Sequence, residues 1–96
     1  MNLFYPTSED TRQILSGWLR TPGAAIPESD PVGVKTHLGR VYVALSNRHA
    51  MLAVYRLNKQ SKWRRMTWEN VPADVLEELE GNSGRAPDAY RVWEAN

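Results

Sequence analysis

Apolar residues near the start of the chain recur with the period of an α-helix. The apolar stripe consists of Ile14, Leu15, Trp18 and Leu19. Thr7 or Ser8 can cap this helix, and Asp10 stands three residues after Thr7, which is the spacing of a capping box. Residues 21–23 (Thr-Pro-Gly) then interrupt the pattern. A helix is therefore predicted over about residues 8–20.

In the middle of the chain the pattern changes to the alternation that is typical of β-strands. Three segments rich in β-branched and aromatic residues have it, namely 40–45, 50–57 and 62–68. Turn-forming residues separate these segments at 46–49 and 58–61. This order predicts a three-stranded antiparallel β-meander.

The segments around the meander complete the predicted fold. Residues 21–33 contain three prolines and two glycines, which predict a loop. A second helix is predicted over 71–80, where Asn70 can cap its start and Gly81 can end it. Residues 87–95 fit either a short helix or a last strand. The whole chain is thus predicted to be a single α+β domain with an N-terminal helix, the meander, a second helix and a short C-terminal element.

Loop length predicts which side chains share a face of the meander, because successive side chains of a strand point to opposite faces. If residues 46–49 form a four-residue loop, Val43 lies opposite Leu52 on an aliphatic face that belongs to the core. Tyr42 and Tyr55 then lie together on the second face.

The third strand can pair in two registers. The favoured one directs Met66 and Trp68 into the aliphatic core, because it separates apolar from polar side chains more cleanly. It leaves Trp63 and Arg65 on the second face. The other register places Arg64 on that face instead. In both, the second face combines two tyrosines with a tryptophan and arginines.

Charge is distributed unevenly along the chain, although the net charge is only +1. Residues 1–33 carry a net charge of −2 and residues 69–96 a net charge of −5. The segment 34–68 contains no acidic residue and eight basic residues, Lys35, Arg40, Arg48, Arg56, Lys59, Lys62, Arg64 and Arg65. Such a segment favours a negatively charged partner.

The second face is therefore predicted to bind single-stranded nucleic acid, with RNA favoured. Aromatic rings stack unpaired bases at about 1–3 kcal/mol per base, while arginine and lysine contact the phosphates. The predicted contact residues are Arg40, Tyr42, Tyr55, Arg56, Lys59, Lys62, Trp63, Arg64 and Arg65. The predicted function is non-enzymatic binding of nucleic acid or of a nucleic-acid-associated protein.

Several alternatives stay open. If a helix covers each face of the sheet, both tyrosines are core residues and no stacking surface exists. An accessory inhibitor or regulator of the phage or plasmid type would use the same residues to bind only a host protein. A metal-independent ribonuclease of the toxin type would draw on Arg56, Lys62, Arg64, Arg65, Tyr42, Tyr55 and His49. A homodimer also stays open.

The cysteine, apolar and histidine content of the chain indicates its cellular location and whether a membrane span or a metal site is expected. The chain has no cysteine, which favours a reducing compartment, and its first residues lack the pattern of a signal peptide. No apolar run approaches the roughly 18–20 residues of a membrane span, so a soluble cytoplasmic protein without membrane contact is expected. The two histidines, His37 and His49, have no closely spaced ligand partner, so neither a metal nor a cofactor is expected.

Overall fold

A five-stranded antiparallel sheet with a helix against each face forms the protein, in a computed structural model that describes residues 1–23, 25–28 and 30–87. The strands lie side by side in chain order and are β1 (Asn2–Phe4), β2 (Val32–Lys35), β3 (Val41–Ser46), β4 (Met51–Leu57) and β5 (Trp63–Met66). The helices are α1 (Ser8–Leu19) and α2 (Ala73–Ser83), with a short 3-10 helix at Trp68–Asn70. The predicted α+β class with two helices is confirmed. The predicted number of three strands is wrong.

The two additional strands, β1 and β2, extend the meander at one edge. β2 begins inside the segment 21–33, whose prolines and glycines predict a loop. Strands of three and four residues offer too few positions for a detectable alternation, so tertiary contact decides their conformation. Gly33 of β2 lies opposite Phe4, and a Cβ atom at Gly33 would be 2.6 Å from the Phe4 carbonyl oxygen. Only glycine permits this close approach.

Helix α1 has the boundaries and the capping box that its sequence predicts. Thr7 Oγ1 accepts a hydrogen bond from the Asp10 backbone N–H at 3.1 Å. Asp10 Oδ2 accepts one from the Thr7 backbone N–H at 3.0 Å. The other carboxylate oxygen of Asp10 accepts a hydrogen bond from Trp63 Nε1 at 3.2 Å, which ties the start of α1 to β5. Ile14 and Trp18 are buried against the sheet.

Helix α2 is displaced toward the C-terminus from its predicted range. Asn70 belongs to the 3-10 helix, and Pro72 is the N-cap of α2. The helix passes through Gly81 and ends at Gly84, which adopts the left-handed conformation with φ +68°. Gly84 therefore provides the stop that the sequence assigns to Gly81. The C-terminal element predicted over 87–95 lies outside the described residues except for Pro87, which forms a parallel bridge with Met51.

A β-bulge in the central hairpin decides which side chains share a face. Ser46 lies opposite Met51, but Leu45 lies opposite Ala53, so Leu52 is an extra residue in β4. Val43 is paired with Tyr55, and the predicted pairing of Val43 with Leu52 is wrong for two reasons: the turn comprises residues 47–50 instead of 46–49, and the bulge adds one residue to β4. A bulge of this kind reverses the facing of every residue beyond it.

The sheet separates two hydrophobic cores, one under each helix. The core on the α2 face contains Val34, Tyr42, Ala44, Met51, Val54, Val71, Val75 and Leu79. The core on the α1 face contains Ile14, Trp18, Val43, Leu45, Leu52, Ala53 and Tyr55. The alternative in which a helix covers each face is therefore confirmed. Among the described residues, neither helix has the length and apolar character needed to cross a membrane.

Candidate functional site

Two hairpin turns lie next to each other at one end of the sheet. The turn 36–40 joins β2 to β3, and the turn 58–62 joins β4 to β5. Because β3 and β4 are neighbours and all strands are antiparallel, both turns lie at the same end, opposite the turn 47–50.

The two turns have the same backbone geometry. Gly39 N–H donates to the Thr36 carbonyl at 3.0 Å, and Ser61 N–H donates to the Asn58 carbonyl at 3.1 Å. The fourth residue of each turn is left-handed, with φ +82° at Gly39 and φ +60° at Ser61. This arrangement is a three-residue hairpin loop, for which a left-handed residue is required. Asn58 further stabilises the second turn, since its Oδ1 accepts hydrogen bonds from the backbone N–H groups of residues 60 and 62.

Five of the cations at this end of the sheet lie on β4, β5 and the two turns, and we call this group the basic end: Arg40, Arg56, Lys59, Lys62 and Arg64. Arg56 of β4 lies directly opposite Arg64 of β5, and Tyr42 is opposite Arg56 on the other side. Directly opposed residues have Cβ atoms about 5 Å apart, so these two arginines repel each other. Arg56 is half-buried and Arg64 is exposed.

No acidic side chain neutralises the basic end within the described part of the chain. The ion pairs there are Arg12–Glu9 on α1 and Arg48–Glu28. The segment that carries the basic end contains no Asp or Glu, and the carboxylates of α2 make no ion pair with it. The described residues therefore leave the positive charge of the basic end without an ion pair.

A cleft of about 530 Å³ lies between the two turns. Its lining residues are Leu38, Gly39, Arg40, Val41, Arg56, Leu57, Asn58, Lys59 and Gln60. The aliphatic lining residues, Leu38, Val41 and Leu57, are not among the predicted contact residues. The signal that could have identified them is a leucine, Leu38, between His37 and Gly39 in a turn, where polar residues are usual.

Four of the nine predicted contact residues are not part of the basic end, because they are buried or lie on the α1 face. Tyr42 is only 1% exposed and Tyr55 only 5% exposed, and each belongs to a different core. The predicted aromatic face that joins them is therefore wrong, because the bulge places them on opposite sides of the sheet. Neither ring is accessible to an unpaired base.

Trp63 and Arg65 pair with β4 as the favoured register of the third strand predicts, but the α1 face on which they lie also holds Val43 and Leu52, from which that prediction separated them. Trp63 packs at the edge of that core, with its ring centroid 6.2 Å from that of Phe4. The guanidinium carbon of Arg65 lies 5.1 Å from the centre of the Trp18 ring, a cation–π contact. Burial raises the pKa of the Tyr55 hydroxyl, and the charge of Arg65 acts in the opposite direction. Trp63 and Arg65 therefore contribute to packing on the α1 face.

Of the residues of the ribonuclease alternative, Arg56, Lys62 and Arg64 lie together at the basic end, but His49 does not lie near them. His49 lies in the turn 47–50, at the end of the sheet opposite Lys62 and Arg56. Its backbone N–H donates to Asn47 Oδ1 at 2.8 Å as part of that turn. The described residues also include no group of three or more His, Cys, Asp or Glu side chains that could hold a metal ion.

No protein-family model, no curated protein and no solved structure matches the chain. Its function is therefore inferred from the charge, burial and arrangement of its own side chains. Two features support that inference, namely the uncompensated charge of the basic end and the cleft beside it.

Proposed function

We propose that the protein binds nucleic acid without catalysing a reaction, and that the basic end contacts the phosphates. The observation that supports this most directly is the position of Arg56 opposite Arg64, with neither paired to an acidic residue among those that the structure describes. A bound phosphate relieves the repulsion between two neighbouring guanidinium groups and accepts hydrogen bonds from both. The planar guanidinium group suits this role because it presents paired donors to phosphate oxygens.

The extent of the basic end favours a polymer over a single small anion. Its cations come from two adjacent strands, β4 and β5, and from the two turns, so they extend from the start of β3 to β5, and three strands span about 10 Å across a sheet. That span has room for more than one phosphate, and a nucleic acid presents phosphates at regular, short intervals. Carboxylates on a protein surface are more widely and less regularly spaced, so nucleic acid is the favoured partner.

The burial of Tyr42 and Tyr55 changes the expected mode of binding. Stacking on the face of the sheet contributes nothing, so contacts to phosphates supply the affinity. Such contacts fix the position of the backbone but do not read its sequence. Binding by the basic end is therefore expected to be independent of sequence and to weaken as salt is raised.

Fluorescence anisotropy with labelled single-stranded RNA, single-stranded DNA and duplex DNA tests the proposal at several salt concentrations. Replacing Arg56→Ala and Arg64→Ala together should weaken binding and reduce the salt slope by about two, roughly one for each phosphate contact that is lost. Arg48→Ala is the matched control, because Arg48 belongs to the same acid-free segment but pairs with Glu28. That variant should bind like the wild type.

Binding to none of the three nucleic acids at low salt would contradict the proposal and point to an acidic protein as the partner. Binding that the double variant retains in full would contradict the assignment to the basic end. Incubation of labelled RNA with the protein in EDTA checks the non-enzymatic part of the proposal. Cleavage that increases with protein concentration would overturn it.

A further inference from the structure

The cleft between the two turns combines aliphatic and cationic side chains. Its aliphatic lining residues are Leu38, Val41 and Leu57, and its cationic ones are Arg40, Arg56 and Lys59. A volume of about 530 Å³ lies within the range of small-molecule pockets, about 300–1,000 Å³. The cleft thus offers a ligand both a charged and an apolar surface.

Leu38 and Gln60 provide an internal comparison. Each precedes the left-handed residue of its turn, and the two turns have the same hydrogen bonds. Gln60 is polar, as is usual at this position. Leu38 is 86% exposed and therefore contributes nothing to either core. At the mouth of a charged cleft, it offers an apolar surface to a ligand.

We infer that the cleft accepts one unpaired nucleotide, with the base against Leu38 and Leu57 and the flanking phosphates on Arg40 and Arg56. This inference rests on the proposed function, since it assumes that the basic end binds the backbone. A nucleobase has flat, weakly polar faces, which contact aliphatic carbons and stack on guanidinium planes.

The same geometry implies a preference for single strands. In a duplex the faces of each base are covered by its neighbours, and exposing one requires unstacking and unpairing. An unpaired strand presents its bases at little cost. The cleft therefore selects single-stranded regions or ends, although the tyrosines that first suggested this preference are buried.

Three probes of equal length test the inference by fluorescence anisotropy: a single-stranded DNA, the same strand with abasic residues, and a duplex. The abasic strand retains the phosphates and lacks the bases. The wild type should bind the strand with bases about tenfold more tightly than the abasic strand, a difference that apolar burial of a leucine can supply.

Leu38→Ser should remove most of that preference without changing the salt slope. Leu19→Ser is the matched control, because Leu19 is also exposed and lies on α1, away from the cleft. It should retain the preference. Both substitutions are at exposed positions, and circular dichroism verifies that the variants fold.

Equal affinity of the wild type for the two single strands would overturn the inference. The proposed function would stand in that case, provided that both strands bind in a salt-dependent manner and the Arg56 and Arg64 substitutions weaken both. A preference that persists in Leu38→Ser would equally overturn the assignment of the base to this cleft. Binding to no probe would overturn both proposals together.

Discussion

Arg64 and Arg65 are adjacent in the chain but lie on opposite faces of β5, in different surroundings. Arg65 stacks over Trp18, whose side chain is fully buried under α1. Arg64 lies opposite Arg56 and pairs with no acidic residue of the described chain. One arginine thus belongs to the packing of the domain and the other to its surface charge.

The α1 face and the α2 face of the sheet differ in how completely the region around these arginines is covered. On the α1 face, the rings of Phe4 and Trp63 meet although they come from the two edge strands. A flat five-stranded sheet is about 19 Å wide, so the sheet must curve toward α1 to bring them within 6.2 Å. On the α2 face, Tyr42 is buried while Arg56, directly opposite it, is half-buried, so coverage by α2 ends there.

Arg64 and Arg65 are the same residue type and are adjacent in the chain. Their different roles therefore come from the face of the strand on which each side chain lies. A cation above a buried ring gains a contact and keeps part of its hydration. A cation opposite another cation gains nothing within the folded chain. Variants that treat the two faces separately should therefore separate stability from binding.

The largest expected effect comes from disrupting the core on the α1 face. Trp18→Ala removes a fully buried side chain, its hydrogen bond to the Ala25 carbonyl and the ring beneath Arg65. We expect a loss of about 3–5 kcal/mol in the free energy of unfolding, measured by urea denaturation. The adjacent exposed residue provides the control, since Leu19→Ala should change stability by less than about 0.5 kcal/mol. A loss below about 1 kcal/mol in Trp18→Ala would contradict the packing described for α1.

Reversing one charge at the basic end should change binding and stability in opposite directions. Arg64→Glu places an acid opposite Arg56, and a cross-strand pair of opposite charge stabilises a sheet by about 0.2–1 kcal/mol. The same change should weaken nucleic-acid binding by about tenfold or more, about 1.4 kcal/mol, because a repulsive charge replaces a phosphate contact. Thermal denaturation and anisotropy measure the two effects. A variant that both binds and melts like the wild type would show that Arg64 has neither role.

Removing Arg65 should lower stability and leave nucleic-acid binding unchanged. Arg65→Ala eliminates the cation–π contact with Trp18, so we expect a loss of about 0.5–2 kcal/mol in stability. Nucleic-acid affinity and its salt slope should stay close to those of the wild type. Arg65→Lys retains a positive charge but not the planar group, and should recover part of the stability. Reduced affinity in Arg65→Ala with unchanged stability would place this residue at the binding surface instead.

The smallest expected effect concerns the hydrogen bonds at the start of α1. Partial burial raises the pKa of Asp10, but hydrogen bonds from Thr7 and Trp63 outweigh this and lower it from its usual value of 3.8. A carboxylate whose pKa is lower in the folded state adds stability above its unfolded pKa. That contribution is lost as the pH falls through the folded value, in a window below about pH 4.

The contribution of Asp10 to stability is expected to be small, because solvent screens a group near the surface. Urea denaturation at pH 7 and near pH 3 measures it, with Asp10→Asn as the control that cannot ionise. The difference in stability between wild type and Asp10→Asn should shrink on acidification. A difference that grows instead would contradict the direction of the pKa change.

Local interactions explain what could be predicted from the sequence. The capping box of α1, the turn at 58–61 and the acid-free segment 34–68 depend on residues close together in the chain, and the turn predicted at 46–49 lies only one residue later, at 47–50. Five of the predicted contact residues also gather at one end of the sheet, because strand order and turn positions follow from the same local signals. The pairing of β4 with β5 in the favoured register has the same origin.

The facing of the tyrosines, the strands β1 and β2 and the aliphatic part of the cleft could not be predicted in this way. A one-residue bulge at Leu52 moves Tyr55 to the face opposite Tyr42, and no local signal marks that residue. The pairing of Gly33 with Phe4 and the approach of the two turns join segments that are far apart in the chain. Helical segments, alternating segments and the location of the positive charge follow from residues that are close together in the chain. Which side chains share a surface depends instead on strand register, and register is set by the packing of both faces at once.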